Sequence, residues 1–359
     1  MTDQRRTVAQ AGEDTVLAAV REVIDPFNAG RTGLEIGPGD DAAALTVGSG
    51  QAVITTDTMS QGQDFRRQWW GNGHEWPMDV GTKAAAQNLS DISAMGAVPT
   101  ALVVSLTLPP EIPLSWVRDF YRGVIRACRQ PGAERCVIAG GDLGSGETIS
   151  VTITAVGEPA VGEPVQGGRL LRRDEARAGN MLAVAGRLGR AAAGLALLEQ
   201  SGAEPVPGPE RQLGQVHAET IRECLRAQQR PEPPLIAGPA ALAAGATAGM
   251  DLSDGLLRDA GRLAKASGVQ IRLDEALLHA EAEPLVPVAG VLGLSQPAAR
   301  DWVLTGGEDY GLLVTFPAEA DLPSGFRVLG TVEALPDGDS PGVVVPSEPS
   351  VQGWDSLKR

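Results

Sequence analysis

Aspartates beside glycine turns, or at the ends of apolar runs, are the feature that most constrains this chain. Residues 37–41 (Gly-Pro-Gly-Asp-Asp) place two carboxylates side by side, and residues 55–57 (Thr-Thr-Asp) follow an apolar run typical of a strand. If the two neighbouring strands finish at one edge of a sheet, three carboxylates meet there. Two such charges 4 Å apart interact by roughly 4 kcal/mol at an effective dielectric near 20. The sequence therefore predicts a shared proton or a bound cation, and oxygen ligands of this kind suit Mg²⁺ held together with phosphates.

Length and composition limit the class of protein. The chain has 359 residues, of which 43% are hydrophobic and 21% charged, as expected for a globular protein with up to two domains. The net charge of −15 argues against nucleic acid or an anionic membrane as the main partner. The three cysteines have no metal-binding spacing, and residues 1–15 are polar and lack a secretion signal. We therefore expect a reduced, cytoplasmic protein.

The order of apolar runs and turns predicts two α/β halves. Residues 157–168 are rich in Gly, Pro and Glu, and we place the boundary there, giving domains 1–157 and 158–359. Helical periodicity predicts a helix over 15–24 that ends before Pro26, and a second helix over 82–96. Residues 61–79 are predicted to form a long loop. Its tryptophans, Trp69, Trp70 and Trp76, fit a surface or dimer contact as well as a lid or a wall that stacks on a heterocycle.

The glycine-rich run over 140–146 is predicted to be a loop after a strand. Its backbone N–H groups could surround a phosphate, although hairpins use similar runs. No P-loop motif, protein-kinase loop set, zinc spacing or Gly-x-Ser-x-Gly elbow occurs in the sequence. A carboxylate-rich site without a covalent nucleophile suits phosphoryl transfer by positioning and metal electrostatics. Lys83 and Arg173 could add positive charge there, although each is better explained as a solvated surface residue.

Six motifs occur in an order that resembles the thiamine-monophosphate kinase family, within the aminoimidazole-ribonucleotide-synthetase superfamily of ATP enzymes. The helix motif Asn-Leu-Ser-Asp-x-x-x-Met-Gly-Ala over 88–97 is the most diagnostic. The motifs are Gly39-Asp40-Asp41-Ala42-Ala43, Thr55-Thr56-Asp57, Gln87 to Ala97, Gly140-Gly141-Asp142, Asp251-Leu252-Ser253-Asp254-Gly255 and Gly306-Gly307-Glu308-Asp309-Tyr310.

The resemblance implies a two-domain α/β fold in which the N-terminal sheets of two subunits pair into a barrel-like homodimer. The first domain would bind ATP and Mg²⁺ and form the dimer, and the second would complete the active site. The implied reaction is direct transfer of the γ-phosphate of ATP onto thiamine monophosphate, giving the diphosphate, with Asp57, Asp91 and Asp142 as the central carboxylates. The implied magnesium ligands are Asp41, Thr55, Thr56, Asp57, Asp91, Asp142, Asp251 and Asp254. The implied ATP contacts are Gly141, Asp142, Arg173 and Ser253.

Departures from the family pattern fall on the substrate side. Glu308 matches a substrate contact, but Asp64 stands where the family usually has His, Ser145 where it has Arg, and Leu357 where it has a closing aromatic residue; Asn180 also replaces a usual Asp. We therefore take Asp64, Glu308 and Leu357 as substrate-side residues. Two alternatives stay open: a related ATP enzyme that acts on another phosphorylated heterocycle, and a non-catalytic ATP-binding paralogue.

Overall fold

The computed structural model of the chain describes residues 6–36, 43–48, 50–71, 73, 75–160, 169–200, 215–347 and 349. Two compact units are present: Met1–Ile92 with Ala97–Gly168, and Ser93–Gly96 with Arg169–Arg359. Both contain helices and sheets, so the predicted mixed α/β fold is confirmed. No helix among the described residues is long and apolar enough to cross a membrane.

The first unit is built on a four-stranded sheet with strand order β3-β6-β4-β5. Only the pair β4–β5 is parallel among the pairs of this sheet that the structure describes. A two-stranded antiparallel sheet, β1-β2, accompanies it. The elements are α1 Val8–Ala11, α2 Glu13–Asn28, β1 Leu34–Ile36, β2 Ala44–Leu45, β3 Val53–Ser60, a 3₁₀ turn Arg67–Trp70, α3 Trp76–Ala94, β4 Ala97–Leu108, α4 Leu114–Ala127, β5 Val137–Ser145 and β6 Ser150–Pro159.

One face of this sheet is buried and the other is exposed, because buried and exposed residues alternate along β3, β4 and β6. The helices α3 and α4 approach each other at two glycines. A Cβ on Gly123 would lie 1.9 Å from the Met78 carbonyl oxygen, and one on Gly81 would lie 2.0 Å from the Phe120 carbonyl oxygen. This contact fixes the helix α3, on which the most diagnostic motif lies.

The second unit is built on a six-stranded sheet with strand order β12-β9-β11-β7-β10-β8, in which only β12–β9 is parallel among the described pairs. A continuous core of aliphatic residues from its strands and helices holds it together. The elements are β7 Met181–Ala185, α5 Arg190–Gln200, α6 Gln215–Gln229, α7 Ala237–Ala243, β8 Ala248–Leu252, α8 Leu256–Ser267, β9 Gln270–Leu273, α9 Glu275–Ala282, a 3₁₀ turn Glu283–Leu285, α10 Val286–Val291, α11 Pro297–Thr305, β10 Gly311–Phe316, β11 Phe326–Glu333 and β12 Gly342–Val344.

Three predictions of local structure were wrong. The helix α2 continues through Pro26 to Asn28, whose side chain exchanges two hydrogen bonds with the backbone of Ile138, at 2.8 and 3.0 Å, and so anchors the helix end. The helix α3 begins at Trp76, six residues earlier than predicted, so part of the expected loop is helical. The glycine-rich run 140–145 belongs to the strand β5 and not to a loop, because Gly141 passes so close to β4 that a Cβ would lie 2.0 Å from the Val104 carbonyl oxygen.

Candidate functional site

A pair of carboxylates from β3 and α3 forms the centre of the candidate site in the first unit. Thr55 and Asp57 lie in the middle of β3, on the less exposed side of the strand, and not at its end as predicted. The Thr55 hydroxyl donates a hydrogen bond to Asp91 Oδ2 at 2.7 Å. Burial, together with the charge of Asp91 and a hydrogen bond with Asp91, raises the pKa of Asp57 from 3.8 to about 7. The two carboxyl groups therefore share a proton near neutral pH when no cation is bound.

Asn88 holds this pair in place, a role that the sequence analysis did not assign. Its side-chain oxygen accepts a hydrogen bond from the Asp57 N–H at 3.1 Å, and its amide nitrogen donates to the Ala84 carbonyl oxygen at 3.0 Å. Asn88 is completely buried, so neither bond competes with water. The signal was available, because Asn88 lies three residues before Asp91, on the adjacent turn of one helix.

Lys83 is buried, which contradicts the prediction that it is a solvated surface residue. Its side chain is 1% exposed, and its ammonium group donates to the Asp64 carbonyl oxygen at 3.1 Å. The Asp64 carboxylate accepts from the Ser60 N–H at 2.6 Å and so closes the turn between Ser60 and Phe65. Asp64 thus has a structural role, and the expected contact of its side chain with the substrate stays a prediction.

Other predicted ligands of the first unit lie on the opposite face of the sheet. Thr56 is exposed, and its hydroxyl bonds to the Ile153 carbonyl oxygen and to Thr154, both at 3.1 Å. Asp142 pairs with Ser105 on β4, and Ser105 pairs with Thr152 on β6, whose own partner on β3 is Thr58. Asp142 therefore lies in the same cross-strand row as Thr58, on the face of the sheet opposite to that of Asp57.

Two strands separate β3 from β5, so Asp142 lies about 14 Å from Asp57 within one chain, at 4.7–4.9 Å for each strand spacing. The structure therefore brings Asp57, Asp91 and Thr55 together but not Asp142. No group of three acidic, histidine or cysteine side chains suited to a metal is present among the described residues. Asp41 and Leu357 lie outside the described residues.

In the second unit, Asp254 sits in a cluster of charges at the start of α8. Arg262 lies 2.5 Å from Asp254 and 2.8 Å from Asp259, and Arg258 lies 3.6 Å from Asp254. Burial raises the pKa of Asp259 to about 6, although its carboxylate accepts hydrogen bonds from the Asp254 and Gly255 N–H groups at 3.0 and 3.1 Å. The buried Asp259, which the sequence analysis missed, thus shapes the turn that presents Asp254.

The motif over 306–310 forms a second structured turn in this unit. The Glu308 N–H donates to the Ser253 carbonyl oxygen at 2.9 Å, and the Glu308 carboxylate accepts from Gln228 at 2.7 Å. Asp309 caps the start of α5 by accepting from the Gly189 and Ala191 N–H groups, at 2.5 and 2.9 Å. Burial raises the pKa of Asp309 to about 7, although these hydrogen bonds oppose the shift.

The remaining predicted residues of the second unit differ in exposure. Asp251 is buried on β8, opposite Leu312 on β10. Arg173 is exposed, and its carbonyl oxygen accepts from the Ser267 hydroxyl at 2.7 Å. Both residues, like Asp254, belong to the second unit.

Comparisons with known proteins identify the family. A family model described as AIR synthase related protein, N-terminal domain, matches residues 39–158. The thiamine-monophosphate kinase of Mycobacterium tuberculosis is 39% identical over 297 residues, which cover 83% of this chain and 79% of that protein. The one from Corynebacterium glutamicum is 35% identical over 355 residues, covering 98% and 95%. The chain belongs to the thiamine-monophosphate kinase family.

Solved structures agree with this family over almost the whole chain. AaThiL complexed with AMPPCP and TMP superposes with a TM-score of 0.66 at 28% identity, covering 96% of this chain and 97% of that one. Thiamine-monophosphate kinase from Stenotrophomonas maltophilia gives a TM-score of 0.69 at 29% identity, covering 92% and 97%. The hydrogenase maturation protein HypE in complex with ATP, at 17% identity and a TM-score of 0.64, shares the fold. The predicted superfamily is therefore confirmed.

Proposed function

We propose that this chain is an ATP-dependent kinase that transfers the γ-phosphate of ATP to the phosphate of thiamine monophosphate and so forms thiamine diphosphate. Curated thiamine-monophosphate kinases align over most of its length, and a related structure contains AMPPCP and TMP. The single observation on this chain that supports the chemistry best is the Asp57–Asp91 pair with its Thr55 hydroxyl.

The pair fits a divalent cation. Two carboxyl groups that share a proton near pH 7 offer the oxygen ligands that Mg²⁺ prefers, and a cation can replace the proton. Asp57, Asp91 and Thr55 would hold the ion. Bound there, Mg²⁺ would offset the repulsion between the triphosphate and the acceptor phosphate.

The protein's own groups then position the reactants. The acceptor phosphate is already an anion, so no side chain has to remove a proton from it, and catalysis rests on alignment and electrostatics. Asn88 fixes the backbone of Asp57. Asp41, Asp251 and Asp254 complete the proposed ligand set of this pair, and Thr56 and Asp142 would bind metal from the exposed face of the sheet. Gly141, Asp142, Arg173 and Ser253 would contact ATP, and Asp64, Glu308 and Leu357 would lie on the acceptor side. In this proposal residues 1–157 bind ATP and Mg²⁺ and form the dimer, and residues 158–359 complete the active site.

We also propose a homodimer formed through the exposed face of the first sheet. Ile54 and Val103 are 66% and 37% exposed on that face, where aliphatic side chains need a partner to be buried. Threonines of β3 and β6 surround them. Asp142 lies on the same face, so pairing of two sheets would place it at the interface.

The three cysteines are reduced and buried, as expected for a cytoplasmic enzyme.

The test is formation of thiamine diphosphate and ADP by the purified full chain with ATP, Mg²⁺ and thiamine monophosphate. Asp57→Asn and Asp142→Asn should each abolish turnover while the folded state survives. Asp119→Asn, the same change on a partly exposed residue of α4 that pairs with Arg122, should leave turnover intact. Full activity in both site variants would reject the metal mechanism. Normal ADP release only with another phosphorylated heterocycle would instead identify a different acceptor, and ATP binding without turnover on any acceptor would identify a non-catalytic protein.

A further inference from the structure

The turn that presents Glu308 is strained. Glu308 and Tyr310 have φ angles of 65° and 48°, and they are the only non-glycine residues with positive φ among those that the structure describes. Each such residue costs on the order of 1–3 kcal/mol and persists where surrounding contacts enforce it. An observed strain of this kind points to a functional demand on the position of a side chain.

Contacts on both sides enforce this conformation. The Glu308 N–H donates to the Ser253 carbonyl oxygen, and the Tyr310 N–H donates to the Leu252 carbonyl oxygen, both at 2.9 Å. Leu252 is the last residue of β8, and Ser253 follows it. The preceding Gly307 allows a close approach, since a Cβ there would lie 2.5 Å from the Ser253 carbonyl oxygen. The backbone of Glu308 is therefore fixed from two directions.

Gln228 fixes the side chain as well. It lies in the last turn of α6, is 2% exposed, and donates from Nε2 to Glu308 Oε2 at 2.7 Å. The helix α6 is itself pressed against α5, because a Cβ on Gly194 would lie 2.0 Å from the Cys224 carbonyl oxygen and 3.1 Å from Gln228 Cβ. An immobile donor thus determines where one carboxylate oxygen of Glu308 lies.

We infer that Gln228 is a positioning residue for the acceptor, acting through Glu308. The inference rests on the proposed function, in which Glu308 contacts thiamine monophosphate. Thiamine carries a permanently cationic thiazolium ring, and a carboxylate oriented by a buried amide is a suitable partner for it. Gln228 therefore serves acceptor recognition through Glu308, and loss of its side-chain donor leaves ATP binding unaffected.

The test is a double-mutant cycle on the full chain. Gln228→Met keeps the unbranched length of the side chain and removes the donor. It should lower kcat/KM for thiamine monophosphate about tenfold, as expected for a hydrogen bond to a charged group, and leave KM for ATP unchanged. In a Glu308→Ala background the same change should alter kcat/KM by less than about twofold, because the group through which it acts is absent.

Gln200→Met is the matched control, since Gln200 ends the neighbouring helix α5 and donates to the Leu292 carbonyl oxygen. It should change neither constant. Equal effects of Gln228→Met with and without Glu308, or equal increases of KM for both substrates, would overturn the inference and show a structural role. The activity of the wild-type chain on thiamine monophosphate is measured first. If there is none, the proposed function is rejected, independently of the role of Gln228.

Discussion

Replacing Asp57 by Asn should make the metal-free protein more stable while it removes activity. In the folded chain the pKa of Asp57 is raised from 3.8 to about 7 by burial and by Asp91. A carboxyl group whose pKa is higher in the folded state favours folding when protonated. Its contribution to the free energy of unfolding is therefore complete below pH 3.8, declines as the pH rises through 7, and stays lost above that. Asparagine has no proton to lose, and its amide can donate to Asp91.

The size of the effect follows from the shift. About three pKa units at roughly 1.4 kcal/mol each set an upper limit of about 4 kcal/mol above neutral pH. Asp57 is only partly buried, so screening by water reduces this to about 2 kcal/mol. In a unit of this size that corresponds to an increase in Tm of roughly 4–8 °C. Near pH 5 the stability difference between variant and wild type should be about a third of its value above neutral pH. The reason is that pH 5 lies only about a third of the way from the ordinary pKa of 3.8 to the raised pKa of about 7.

Thermal unfolding followed by circular dichroism, in the presence of a chelator, measures this difference at about pH 5 and about pH 8. Asp119→Asn is the control, since it makes the same change on a partly exposed residue of α4 that pairs with Arg122, and it should show no gain in stability at either pH. If Asp57→Asn is less stable than the wild type near pH 8, or if its margin is the same at both pH values, the electrostatic account of this pair is wrong.

Three further predictions concern the metal, the second unit and the helix contact. The Mg²⁺ concentration for half-maximal activity should rise about tenfold between pH 8 and pH 6, because the ion displaces the proton of Asp57; an unchanged value would exclude this competition. Arg262→Met should lower that concentration about fivefold, because the guanidinium 2.5 Å from Asp254 repels a cation, and no change would argue against Asp254 as a ligand. Gly123→Ala should destabilise the protein by about 3 kcal/mol in chemical denaturation, because its Cβ would lie 1.9 Å from a carbonyl oxygen. Gly290→Ala, on a helix with nothing within 4 Å, should be tolerated and would show whether the clash is the cause.

Elements with a strong local signal could be predicted from the sequence. The apolar pattern predicts a helix over 190–200 and a strand over 181–185, and α5 and β7 have these bounds. The start of α3 was missed although Trp76 is followed by Pro77, and proline is common in the first turn of a helix. The strand at 140–145 was missed because glycine in a sequence suggests a turn, whereas here the missing Cβ allows two strands to pair closely.

The candidate site was predictable in residue type but not in geometry. The family resemblance grouped Asp57 with Asp91, and the two are neighbours in the structure. The alternation of a strand, however, puts Thr56 on the opposite face from Thr55. A one-residue difference in register has the same effect on Asp142, and no local pattern encodes register between strands that are distant in sequence. Supporting residues such as Asn88 and Gln228 act through single hydrogen bonds, which only the folded chain reveals.

The residues of the proposed site share a property that folding alone does not explain. Asp57 and Asp91 bring two carboxyl groups together at a cost that rises with pH, and Glu308 and Tyr310 occupy unfavourable backbone angles. An amide at position 57 and a glycine at 308 would each relieve the cost. In the proposed function, binding of the reactants offsets this cost. A cation bound to the carboxylate pair and a cationic acceptor beside Glu308 would provide the offsetting interactions, and both belong to the proposed transfer of a phosphate onto thiamine monophosphate.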